Sequence, residues 1–328
     1  MGKKKTKRPA RQRPILPPAG ATPEETAGFA AKRCSAYVKE VHERYPNMLG
    51  FLHQMAKEKG GPRGGEWPDW CWLPMAAAVS GIAEMTGPMA PFGDMMKVAA
   101  DGARVTALAT WRLTKGVYRL DHDRLAAKSV DRIWEARGVP ANLRIDKKRF
   151  LNGLPQHCVY VVLPTPPHPL EHPIPLGVFI HLEHDLNSGR PELRFLIDHD
   201  GTWEGLEPVW VALDRPTLEA AARESISPAM PAGLSVPAAF RALLPGARSE
   251  ETEDGLVKVA GMPVVLAWPL AEMVTDPEAV MTRYEMPGER PEPAAPDTTG
   301  GSPVWPIATA PTHWVLSAEV PRPTLRSL

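Results

Sequence analysis

Apolar positions recur at three- and four-residue spacing through the first half of the chain and at every second residue in a later stretch. Over residues 24–45, Ala30, Cys34, Tyr37, Val38, Val41 and Tyr45 share one side of a helical repeat, and Pro46 ends it. Residues 47–58 repeat the pattern with Leu49, Leu52 and Met55. After a glycine-rich loop, Pro74 suits the first turn of a helix over 74–86, because its missing N–H is no loss there. Ala76, Ala77, Ala78, Ser80 and Gly81 leave room on that helix for a close neighbour. Asp94 is placed to cap a helix over 95–115, with Val98, Gly102, Val105, Ala109, Arg112 and Leu113 on one face and Gly116 as its C-terminal glycine. Asp121 opens a further helix over 122–137, ended by Gly138.

After residue 156 the period changes to two. Cys158–Leu163, Leu176–His184 and Glu192–Asp198 read as strands, with Asn187-Ser188-Gly189 supplying turn chemistry between the last two. Trp210–Leu213 reads as a fourth strand and Pro263–Trp268 as a buried one; Asp214 with Pro216, and Ser235 with Pro237, open short helices between them. By alternation, His181, Glu183 and Arg194 lie on the non-core side of the hairpin, where Glu183 and Arg194 would pair across strands on a solvated face. A run of helices followed by a run of strands predicts an α+β architecture: a helical N-terminal half packed on an antiparallel sheet. The domain plan is a disordered basic arm over 1–22, one α+β domain over 23–286 (helical 24–150, mainly strand 156–270), and a mostly disordered Pro-rich tail over 287–328 anchored by Trp305 and Trp314.

Composition narrows the classes. The formal net charge is zero, so no global field marks a nucleic-acid binder. The three cysteines, Cys34, Cys71 and Cys158, lie far apart without metal-ligand spacing, which fits a reduced cytoplasmic setting with neither disulfide nor zinc. No apolar run reaches 18 residues, so no membrane partner is expected. The arm carries Lys3, Lys4, Lys5, Lys7, Arg8, Arg11 and Arg13, which read either as phosphate contacts to RNA or as a solvated tail.

No catalytic pattern of serine, phosphate-loop or dinucleotide type occurs, and no cofactor is called for. His168, His172, His181, His184, Asp185, Asp198, His199 and Asp200 cluster in sequence, and acidic strand ends can hold Mg²⁺. No lysine lies between Lys148 and Lys258 to assist such a nuclease, so the cluster reads first as structural and no metal is assigned. The densest feature is Trp67-Pro68-Asp69-Trp70-Cys71-Trp72, which holds three of the ten tryptophans. Large rigid apolar faces beside one carboxylate suit a groove for an apolar peptide with a positive N-terminus, or equally the anchor of a core.

Four stretches, Trp67–Ala78, Ala109–Arg119, Leu154–Val161 and Gly177–Arg194, resemble the second type V-A anti-CRISPR family, found on mobile genetic elements. The resemblance implies a cytoplasmic, non-enzymatic protein that recognises the N-terminal nascent peptide of a type V-A CRISPR effector and lowers its expression through loss of its mRNA, near the ribosome. The candidate peptide-binding set is Trp67, Asp69, Trp70 and Trp72, by the chemistry of their side chains, with Arg112 and Tyr118 from the Ala109–Arg119 stretch. Two other readings stay open: a metal-dependent nuclease using Asp185, Asp198 or Asp200, and an RNA- or ribosome-binding accessory protein working through its arm.

Overall fold

A computed structural model describes residues 14–18, 20–59, 67–86, 92–120, 142–163, 175–226, 262–277, 279–284 and 307–318. The helix expected over 122–137, the helix opened by Ser235, the cations at 3–13, His168, His172 and Trp305 lie outside the described residues.

Helix α1 (Pro23–Arg44) starts from a reciprocal cap: Thr22 Oγ1 accepts the Glu25 N–H, and the Glu25 carboxylate accepts the Thr22 N–H. Helices α2 (Met48–Glu58) and α3 (Met75–Thr86) follow as the periodicity predicts. Helix α4 (Phe92–Trp111) starts before Asp94 and stops short of residue 115. The chain reverses at Lys115, whose φ is 49° and whose N–H reaches the Trp111 carbonyl at 2.7 Å. Gly116, expected to cap the helix, instead opens β1 (Gly116–Leu120). Gly102 lets α3 and α4 approach, since a Cβ there would sit 2.5 Å from Val79 Cγ2.

The later elements are α5 (Lys147–Gly153), β2 (Cys158–Val162), β3 (Gly177–Asp185), β4 (Arg190–Asp198), β5 (Leu206–Ala212), α6 (Leu218–Ile226), α7 (Met262–Val274), β6 (Ala279–Tyr284) and β7 (Thr312–Ala318). They join β1 in a seven-stranded sheet of order β5-β4-β3-β2-β1-β7-β6. The α+β class holds, but the sheet is mixed: β1 runs parallel to both β2 and β7, while the other neighbours are antiparallel. Short turns dictate antiparallel pairing for β3–β4; strands that meet from distant parts of the chain carry no such local signal.

Helices cover both faces. On one, α1–α4 pack over Tyr160, Phe179 and Leu196; on the other, Phe150, Leu218 and Trp268 from α5–α7 pack over Val161, Ile180 and Phe195. Three expectations change in consequence. His181 and Glu183, each 1% exposed, lie in a buried layer rather than on a solvated face. Residues 263–268 belong to a helix, because a short apolar run fits a buried helix as well as a buried strand. The tail past 287 supplies β7, an internal strand of the sheet, and Ala308 N–H bonds to the carbonyls of Arg112 and Leu113. At the other end, residues 14–18 run beside α1, where the Ile15 carbonyl accepts from Arg33 Nη1 at 3.0 Å. No helix among the described residues is long and apolar enough to cross a membrane.

Candidate functional site

The tryptophan-rich stretch is a loop between α2 and α3, turned by a bond from Cys71 N–H to the Pro68 carbonyl. Its indoles part company. Trp67 is 4% exposed and anchors the loop. Trp70 is half-buried, packs with the α5–α7 layer and meets His184 edge-on at 5.8 Å. Trp72, also half-buried, packs with the α1–α4 layer and lies 6.2 Å from the His53 ring. The loop therefore wraps an end of the sheet, with an indole on each side. Asp69 is exposed between them and pairs with Lys59 Nζ.

A buried polar layer holds this loop. The Met75 N–H at the start of α3 donates to Glu183 Oε1 at 2.8 Å. Arg194 Nε lies 2.7 Å from Glu183 Oε2, and Arg194 Nη2 lies 2.7 Å from Glu192. Two carboxylates thus share one guanidinium. Burial pushes the Glu183 carboxyl up to about 7, with Arg194 pulling the other way. His181 stands opposite Arg194 in the sheet register, and burial pushes its imidazole down to about 3, so it stays neutral. The free Cys71 is buried, and burial pushes its thiol up, away from the range of a nucleophile.

Arg112 and Tyr118 fall elsewhere. Tyr118 is 1% exposed and stacks on Trp314 of β7, centroids 6.0 Å apart. In the register Tyr118 faces Val161, which faces Val178. Val178 precedes His184 by six residues, about 20 Å of strand at ~3.3 Å per residue, so Tyr118 stands well away from Trp70. Arg112, 8% exposed at the end of α4, lies instead on the Trp72 side, close enough to His53 to act on its charge. The six expected residues thus separate into an accessible pair, Asp69 and Trp70; a second pair, Trp72 and Arg112, joined through His53; and two buried members, Trp67 and Tyr118.

The aspartates considered for a metal are occupied otherwise. Asp198 accepts from Arg33 Nε (2.6 Å), Tyr37 Oη (2.8 Å), Tyr160 Oη (2.8 Å) and the Gly201 N–H (3.0 Å). Asp185 takes the Asn187 and Ser188 N–H groups of its own turn, and Asp200 those of Thr202. His199 bonds Glu207 at 2.6 Å. Among the described residues no cluster of three such side chains is arranged to hold a metal. Sequence reasoning placed Tyr37 on the inward face of α1 but missed Arg33, four residues before it on the same face, and it missed His53 altogether.

Comparison with known proteins bears on this geometry. No curated protein matches the chain. The crystal structure of AcrVA2 superimposes with a TM-score of 0.52 over 87% of this chain and 83% of that one, at 16% identity, which shows a shared fold. The profile described as the anti-CRISPR type V subtype A2 family matches residues 134–316, a span that runs from before α5 through most of β7 and leaves out the tryptophan loop. Since that span is more than half of the 328 residues, the chain belongs to the anti-CRISPR type V subtype A2 family.

Proposed function

We propose that this protein recognises the N-terminal nascent peptide of a type V-A CRISPR effector and lowers the effector's expression by promoting loss of its mRNA, in the cytoplasm. The reading rests on family membership and on one observation: Trp70 and Asp69 are presented together on a loop that the buried Glu183–Arg194 layer holds in place. An indole face binds an apolar side chain, and an adjacent exposed carboxylate complements a positive N-terminus. The Lys59 partner of Asp69 is an exposed ion pair of the kind worth little, so a peptide amine can displace it.

The test is a crosslinked pull-down of the tagged protein from translating cells that express a type V-A effector, with sequencing of the captured chains and messages. Short effector chains with their message, released by puromycin, support the reading. Trp70→Ala is expected to abolish capture while circular dichroism stays that of the parent. Capture that survives Trp70→Ala removes the loop from the assignment, and enrichment of unrelated RNA or full-length proteins removes the function.

A further inference from the structure

On the other side of the loop lie two cations, Arg112 and Lys115, that pair with no carboxylate among the described residues. Arg112 is 8% exposed, and among the described residues its guanidinium makes no hydrogen bond or ion pair; its Nε is buried and unsatisfied. His53 Nδ1 is likewise buried without a partner. The His53 ring is 6.2 Å from Trp72. Among the described residues Lys115 Nζ donates to a neutral acceptor, the Thr309 carbonyl at 3.1 Å. Burial, then Lys57 and Arg112, depress His53; burial, then Arg112, depress Lys115; among the described residues no carboxylate opposes either. The C-terminus of α4 offers its partial negative charge, about half an elementary charge, which is less than one of these cations carries. An unpartnered buried guanidinium is costly unless something else satisfies it.

We infer that Arg112 and Lys115, with the His53 and Trp72 rings beside them, form a binding site for single-stranded RNA, the two cations taking a phosphate and the indole stacking a base. A positive peptide N-terminus is repelled here, so the site is distinct from the Asp69–Trp70 side of the loop. A single carboxylate would neutralise one of the two cations and leave the other without a counter-charge, whereas a phosphodiester chain supplies several negative charges next to flat bases. The proposed site does not include the basic arm at residues 3–13.

The experiment uses the full chain and a fluorescein-labelled single-stranded RNA of about a dozen nucleotides, a length that covers one or two such sites. Anisotropy titrations at several salt concentrations compare the parent with Arg112→Gln and Lys115→Gln. Each variant is expected to bind about tenfold or more weaker, the loss of one charge-assisted contact, and to lower the salt slope by roughly 0.7 per phosphate contact removed. Lys115 is half-exposed, so its variant keeps the test valid where Arg112→Gln fails to fold. Photocrosslinking with 4-thiouridine is expected to label peptides containing Trp72 or residues 112–115. Parent-like binding by both folded variants, or crosslinks confined to residues 1–22, overturns the site. Displacement of the RNA by poly-glutamate of matched charge as readily as by unlabelled RNA overturns the RNA assignment in favour of an acidic peptide. Nascent-peptide capture by the same variants separates a failure of this site from a failure of the peptide reading.

Discussion

Single side chains in the buried layer set how stability responds to pH. His181 is pushed from 6.5 to about 3, so between those values the unfolded chain binds a proton that the folded chain does not. Its contribution is full above 6.5 and is lost as pH falls toward 3. Glu183 works in the other direction: raised from 4.5 to about 7, it favours the folded state at low pH and loses that advantage as pH rises through 7. His181→Gln should therefore flatten the acid side of the stability profile, and Glu183→Gln the side from 4.5 to 7; urea midpoints across that range read both. A His181→Gln profile parallel to the parent's would show that the imidazole is not held neutral. Asp198 makes a sharper case. Asp198→Asn leaves Arg33, 2% exposed, without its counter-ion, and should cost about 3–5 kcal/mol in urea unfolding. A loss under about 1 kcal/mol would place that pair in the low-cost class of exposed ion pairs.

Elements obey local rules where a neighbour does not overrule them. The cap of α1 and the turn at Asn187-Ser188-Gly189 are legible because each motif is complete within a few residues. Helix α7 was open to misreading as a strand because its apolar run is uniform and the layer that surrounds it is remote in sequence. Gly177 shows how tightly neighbouring strands constrain one another. A Cβ there would lie 2.4 Å from Tyr160 Oη and 2.6 Å from the Val161 carbonyl, and Tyr160 cannot swing away while it bridges Arg33 and Asp198. Gly177→Ala should lower stability by about 1–3 kcal/mol, and adding Tyr160→Phe should recover part of that by removing the hydroxyl, as read by thermal melts of the double-mutant cycle. Equal losses in the single and double variants would locate the strain at the Tyr160 ring carbon, 2.5 Å from the added Cβ, or at the Val161 carbonyl instead.

At the scale of the molecule, β7 joins the ends of the chain. It pairs with β1 on one side and β6 on the other, so β6 has no other strand neighbour among the described residues. Truncation after residue 306 exposes the edge of β1, strips Trp314 from Tyr118 and leaves β6 without its partner strand. The truncated chain should be recovered insoluble or lose cooperative unfolding, whereas a tail that merely hung from the domain would be removed without effect; circular dichroism and a thermal melt distinguish the two. The same pairing holds residues 307–309 against the end of α4, beside Arg112 and Lys115, so removal should also disturb the cationic group near Trp72.

Periodicity and turn chemistry were enough to establish helices α1–α4, the β2–β5 run and the α+β class, because these depend on residues a few positions apart. The aromatic loop was visible for the same reason: its tryptophans are adjacent. Which side of the sheet each indole takes, the burial of Glu183 and Arg194, the meeting of Arg112 with His53, and the entry of residues 312–318 between β1 and β6 depend on contacts between segments about 20 to more than 190 residues apart. Alternation along β3 separates two faces but does not say whether either meets water. Here both are covered, so residues that looked like a solvated edge became the buried support of the loop.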